Sequence, residues 1–111
     1  MSTAALDGAP TGSIRLTSAP YMVRLILSGD LDDSFTRDLM DLVRTAERHT
    51  GPIEVDTQAV GFVDSAVIAV FAALDYRQPG RLRFVNTSES VRFLLELIQL
   101  GKLIEVVDDA S

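Results

Sequence analysis

Residues Tyr21 to Asp56 read YMVRLILSGDLDDSFTRDLMDLVRTAERHTGPIEVD, and their periodicity changes twice. Tyr21 to Leu27 alternates, with Val23, Leu25 and Leu27 on one face, as a half-buried strand does. Ser28-Gly29-Asp30 reads as its end. From Phe35 onward the apolar residues recur at helical spacing: Phe35, Leu39, Leu42, Val43 and Ala46. Arg37, Asp38, Asp41, Arg44, Glu47 and Arg48 take the opposite face. Asp33 and Ser34 are natural N-caps for this helix. Gly51 stands where a glycine past a helix C-terminus belongs, and Pro52 forbids continuation. Ile53 to Asp56 is again short and alternating, and Asp56 reads as the residue that finishes it. Strand, helix, strand in that order is a βαβ unit, which implies a parallel strand pair with the helix packed on it.

The same reading extends in both directions. Ile14 to Thr17 alternates as a short edge strand before the Ser18-Ala19-Pro20 break. Gly61-Phe62-Val63-Asp64 leads into a second helix, from about Ala66 to Tyr76, that is apolar on nearly every side and therefore expected to be deeply buried. Pro79-Gly80 makes a turn, and Leu82 to Val85 is a strand with Leu82 and Phe84 on one face. Ser88 caps a third helix whose expected buried stripe is Val91, Leu94, Leu95 and Ile98. Gly101 ends that helix. Leu103 to Val107 reads as a last strand before Asp108-Asp109. The expectation is an α/β domain over 13–111, with a four- to five-stranded mixed sheet and about three main helices packed on it. Val23, Leu25, Leu39, Val43, Ile53, Val55, Val70, Phe84 and Leu95 are its predicted core. Residues 1–12, rich in small side chains and including Gly8 and Pro10, read as a flexible N-terminal leader.

Bulk properties exclude several classes of function. A chain of 111 residues holds one ordinary domain, and 47% hydrophobic residues suffice for a core without staples. The absence of cysteine removes thiolate chemistry and sulfur-ligated metals. A formal net charge of −6 opposes nucleic-acid backbones and anionic membranes as partners. Met1 to Thr11 lacks the basic and apolar regions of a signal peptide. The longest apolar stretch, Ala66 to Leu74, is too short to span a bilayer. A cytoplasmic protein without membrane insertion is the expectation. His49, the sole histidine, sits near a helix C-terminus where a cation is favourable, and no second ligand accompanies it, so no metal site is expected. Neither a Gly-x-Ser-x-Gly elbow nor a glycine-rich phosphate loop occurs, so an enzyme is not expected, and no residue pattern calls for a cofactor.

Four segments, in order and spacing, resemble the STAS family. They are Ser28-Gly29-Asp30-Leu31-Asp32 after a strand, Ile53-Glu54-Val55-Asp56, Gly61-Phe62-Val63-Asp64-Ser65 at the start of a helix, and Phe84-Val85-Asn86-Thr87-Ser88 followed by Val91 and Leu94-Leu95. The resemblance spans about Tyr21 to Val107 and is to the bacterial anti-sigma factor antagonists of that family. It implies a non-enzymatic module that binds an anti-sigma factor with a serine-kinase fold and so frees a sigma factor. It further implies phosphorylation at Ser65, the serine following the aspartate, and a docking surface that includes Asp30, Asp32, Asp33, Asp64, Ala66 and Val67.

Two local readings of Ser65 stand side by side. It is a helix N-cap whose hydroxyl satisfies a backbone N–H, or it is a cap that also accepts phosphate at a helix end where an anion is favoured. Asp30 and Asp32 likewise suit either a partner surface or an Asx-stabilised turn. The family's phosphorylated members usually continue Asp-Ser with Ser or Thr and then Gly, whereas this chain reads Asp64-Ser65-Ala66-Val67. The alternative function is therefore a non-phosphorylated STAS adaptor, such as a subunit of a bacterial lipid-transport ATPase.

Overall fold

The computed structural model of the chain describes residues 4–9 and 12–104. The elements are β1 (Ala4–Ala9), β2 (Gly12–Ala19), β3 (Met22–Leu31), α1 (Thr36–Glu47), β4 (Ile53–Val63), α2 (Ser65–Arg77), β5 (Leu82–Val85) and α3 (Glu89–Leu97). Short 3-10 turns, Asp33–Phe35 and Gly101–Leu103, precede α1 and follow α3. The five strands lie in the order β1-β2-β3-β4-β5. The first two pairings are antiparallel and the last two parallel, so the sheet is mixed as expected.

The architecture follows from connection chemistry. The β2–β3 hairpin closes around Pro20 and Tyr21, with Ala19 paired to Met22. From β3 onward each new parallel strand joins the same side of the sheet through a helix. Right-handed crossovers stepping in one direction place successive helices on the same face. One core results: Ile14, Val23, Leu25, Leu31, Ile53, Val55 and Phe84 from the strands meet Leu39, Val43, Phe71, Leu74 and Leu95 from the helices. The Phe71 and Phe84 rings meet edge to face, with centroids 5.3 Å apart. Of the predicted core, all residues are buried except Val70, which is half-buried and packs against the cluster. The other sheet face carries polar side chains, among them Arg24, which pairs with its cross-strand neighbour Glu54 at 2.6 Å.

Several elements depart from the sequence reading. Residues 1–12 read as a flexible leader, yet Ala4–Ala9 form β1, paired antiparallel to β2. Backbone hydrogen bonding to an available edge outweighs the small-residue composition there. It follows that β2 is an interior strand and not an edge. β3 and β4 run on past their expected ends, through Gly29 and Asp56 respectively, because each stays paired to the other as far as Leu31 and Val63. Asp56 bonds the Gln58 N–H and the Asn86 side chain instead of closing the strand. α2 is buried on one face only, through Val67, Ile68, Phe71 and Leu74, while Ala69 and Ala73 are exposed. Its outer side also carries Tyr76, which is 87% exposed; apolar side chains at a protein surface are common. On α3, Ile98 lies past the helix end and is exposed. Of the expected last strand, Ile104 forms a parallel bridge with Phe84, and residues 105–107 lie outside the described residues. Among the described residues no helix is long and apolar enough to cross a membrane.

The end of α1 is closed by an arginine. Arg81 donates to the carbonyls of Glu47 (3.0 Å), Ala46 (3.4 Å), Gly51 (2.7 Å) and His49, and to Gln78 Oε1 (2.7 Å). Glu47 and His49 lie at or just past the helix C-terminus, where carbonyls lack helical partners, and a guanidinium also suits the negative end of the helix dipole. Gly51 sits in the same knot with φ +89°, and a Cβ there would lie 2.0 Å from the Tyr21 carbonyl oxygen, so no other residue fits. Burial raises the Glu47 pKa, but hydrogen bonds from Arg77 and Gln78 and the charges of Arg77 and Arg81 outweigh it, leaving the carboxyl below its ordinary 4.5. Arg81→Ala is expected to destabilise the fold by about 1–3 kcal/mol in urea denaturation. Arg81→Lys is expected to recover little, because one ammonium cannot reach four carbonyls. Since the folded Glu47 titrates below its unfolded value, its contribution is complete above the ordinary carboxyl range. It disappears as pH falls through the lowered value, and Glu47→Gln should flatten the acid limb of a stability–pH curve.

Candidate functional site

The sequence-predicted site residues converge at the C-terminal ends of β3 and β4. Leu31 pairs with Val63 in the parallel ladder, and the Asp64 N–H donates to the Leu31 carbonyl at 2.9 Å. That bond fixes the Asp30–Asp33 segment beside the start of α2. Leu31 and Phe35 are buried and hold the segment down, which leaves Asp30, Asp32 and Asp33 exposed between and beside them.

Asp32, and not Asp33 or Ser34, caps the turn that opens α1. Its Oδ1 accepts from the Ser34 N–H at 2.9 Å and from the Ser34 hydroxyl. Hydrogen bonding from the Ser34 hydroxyl, then from its N–H, lowers the Asp32 pKa and keeps the carboxylate ionised. Asp32 thus serves the turn while remaining at the surface. Asp30 approaches β4 so closely that a Cβ on Gly61 would lie 3.2 Å from its Oδ1.

The start of α2 differs from the local reading of Ser65. The N-cap is Asp64: its Oδ1 accepts from the Ala66 N–H at 2.8 Å, and its carbonyl accepts from Val67 N–H at 2.9 Å. Ser65 is therefore the first residue of the helix, exposed, and among the described residues its side chain has no hydrogen-bond partner. The helix end that was expected to welcome an anion is already occupied by the Asp64 carboxylate. Ala66 is half-buried. Val67, expected on the docking surface, is 0% exposed and belongs to the core. Its β-branched side chain points into the packed layer and leaves the outer surface of the first turn unobstructed. The helix starts one residue earlier than expected, with Asp64 and not Ser65 as its cap, because Asp and Ser are equally good caps.

Other candidates are structural. His49 Nδ1 lies 3.1 Å from the Thr45 carbonyl, one helical turn back. Among the described residues no group of three metal-ligating side chains assembles. Phe62, which the sequence reading passed over, is 52% exposed beside Asp30. Gly61 before it was the available signal, since a glycine within a strand often marks a bulge.

Two substitutions separate cap from core. Asp64→Ala should cost about 1 kcal/mol through the lost cap. Val67→Gly should cost more, because it empties a core position as well as weakening the helix. Chemical denaturation of the two variants gives the order directly.

A family model described as "Mlab, STAS domain" matches residues 14–106. Among solved structures, the chain is similar to the anti-sigma factor antagonist SpoIIAA in its unphosphorylated form, at 19% identity and a TM-score of 0.72, covering 87% of this chain and 90% of that one. It is also similar to the Bacillus cell fate determinant SpoIIAA in the phosphorylated form, at 18% identity and a TM-score of 0.69, covering 87% of this chain and 93% of that one. No curated protein sequence matches it. At such identities the two structures bear on the fold, and the family match spans nearly all of the sheet and helices just described: the chain belongs to the STAS domain family.

Proposed function

We propose that the protein is an anti-sigma factor antagonist: a binding module, not an enzyme, that docks an anti-sigma factor with a serine-kinase fold and is released by phosphorylation at Ser65. The observation that carries this reading is the state of Ser65. Asp64 has taken over the capping role, so the Ser65 hydroxyl is exposed and uncommitted at the first residue of α2. The flanking surface, Asp30, Asp32, Asp33, Asp64 and Ala66, is the docking face, with Val67 supporting it from beneath.

The switch follows from charge. To receive phosphate, the Ser65 hydroxyl must lie in line with the terminal phosphate of the kinase's nucleotide. After transfer, docking in the same pose presses a group of about −1.5 to −2 charges against the remaining nucleotide phosphates. Asp64, whose Oδ1 already accepts from the Ala66 N–H, withholds that donor from the phosphoserine and sets a second negative charge beside it. About 1.4 kcal/mol of such repulsion is a tenfold loss of affinity.

A second reading, the non-phosphorylated adaptor, is favoured by Ala66 and Val67 in place of a hydroxyl residue and glycine, and by the Mlab description of the matching family model. Mass spectrometry after incubation with ATP and the kinase-fold anti-sigma factor of the same cell separates the two. The antagonist reading expects phosphate on Ser65, none on Ser65→Ala, and partner affinity at least about tenfold weaker after phosphorylation. Ser65→Asp should shift affinity in the same direction but less, having a smaller charge. Phosphate on Ser88 or Thr87 with Ser65 bare, or no phosphate at all, would retire the switch in favour of the adaptor. Exchanging Asp30 and Asp32 together for Asn should weaken binding with little change in melting temperature. Surface charges contribute little to stability, and Asn preserves the cap of the α1 turn.

A further inference from the structure

We infer that Phe62 is the apolar anchor of the docking face, held outward by a bulge at Gly61, and that the partner's matching surface is an apolar socket ringed by arginine or lysine. This rests on the docking reading above, but adds the chemistry of the surface that is recognised.

The β3–β4 ladder shifts register twice, between Ile26 and Ser28 and again after Gly29: Gly29 pairs with Val60, but the next pair is Asp30 with Phe62, so at this second shift β4 holds an extra residue, Gly61. Had the register continued unbroken, Asp30 would face Gly61 and Phe62 would face Leu31, whose side chain is wholly buried. A one-residue slip exchanges the two faces of a strand. The bulge therefore sends Val63 into the core opposite Leu31 and turns Phe62 out opposite Asp30. Val63 is 5% exposed and Phe62 52%. A sequence under no constraint but stability would bury the phenyl ring and leave the smaller residue wet. Bulges that re-aim a side chain are placed features of a strand.

The surroundings determine what fits on the ring. The segments 30–37 and 61–65 carry four carboxylates, Asp30, Asp32, Asp33 and Asp64, against one guanidinium, Arg37. The ring thus stands in an acidic stretch, three residues before Ser65 in the sequence. An aromatic anchor within a charged rim is the arrangement in which the anchor carries affinity and the rim steers association. Charge complementarity commits the occupant to a protein with basic residues around an apolar socket. A second copy of this chain is excluded as the preferred partner, since it would bring the same carboxylates face to face.

The test replaces Phe62, in the full chain within its own cells, by a photo-crosslinking benzoyl-phenylalanine. Tyr76, 87% exposed on α2, is the control position. The expected result is one protein crosslinked at position 62 and not at 76, through a peptide with apolar residues flanked by Arg or Lys. With that protein purified, Phe62→Ala should weaken binding about tenfold or more, mainly through faster dissociation, with an unchanged salt dependence. If that protein has no kinase fold, the anchor stands and the antagonist reading falls. Equal crosslinking at 62 and 76, crosslinking to another copy of the chain or to lipid, an acidic crosslinked peptide, or undiminished binding by Phe62→Ala overturns the anchor itself.

Discussion

The parallel ladder between β3 and β4 is the constraint on which the rest of the molecule depends. It lies in the middle of the sheet and supplies the core face with Val23, Leu25, Leu31, Ile53, Val55 and Val63. It also decides where both connecting loops emerge. Parallel strands end on the same side, so the loop after β3 and the loop after β4 leave the sheet as neighbours. The bond from the Asp64 N–H to the Leu31 carbonyl is the last rung of that pairing. An acidic loop and a helix start, thirty residues apart in sequence, become one surface because their strands are in register. Ligand sites of open α/β sheets gather at the carboxyl ends of the strands for the same reason.

The two ends of the ladder are treated differently. At the far end, Arg81 ties the last carbonyls of α1 to the start of β5, Gly51 packs on the hairpin carbonyl of Tyr21, and Glu47 holds Arg77 and Gln78. These groups are bonded to one another within the molecule. At the near end the polar groups are only partly engaged: Asp32 and Asp64 each satisfy a helix start, while Asp30 and the Ser65 hydroxyl face solvent. Rigid scaffolding at one end and available chemistry at the other is how a small domain presents a surface without loosening its core.

Much of this was readable in the residues because apolar spacing is set by burial. The α1 stripe from Phe35 to Ala46 is buried as its period requires, and the alternation of Val23 to Leu27 and Ile53 to Val55 matches the core face of the sheet. The segments that meet at the carboxyl ends of β3 and β4 were also visible as cap and turn chemistry. What escaped was everything decided by a neighbour distant in sequence. The extensions of β3 and β4 depend on mutual pairing, and no local signal shows a strand continuing through Gly29. The outward turn of Phe62 depends on which residue lies across from it, and a single sequence contains the ring but not its register. The cap of α2 was shifted by one because Asp64 and Ser65 are chemically interchangeable there, and only the phase of the helix against the sheet distinguishes them.

β1 has a meaning for association as well as for folding. Its antiparallel pairing gives β2 a hydrogen-bonded neighbour on each side. Removing residues 4–9 would turn β2 into the border of the sheet, with a row of bare N–H and C=O groups along a strand that contains Ile14 and Leu16. Such a border is a template for pairing with another chain. The stretch that composition presents as the least structured part of the sequence is thus a guard against polymerisation, and shortening the protein at its N-terminus trades a tidy boundary for a sticky one.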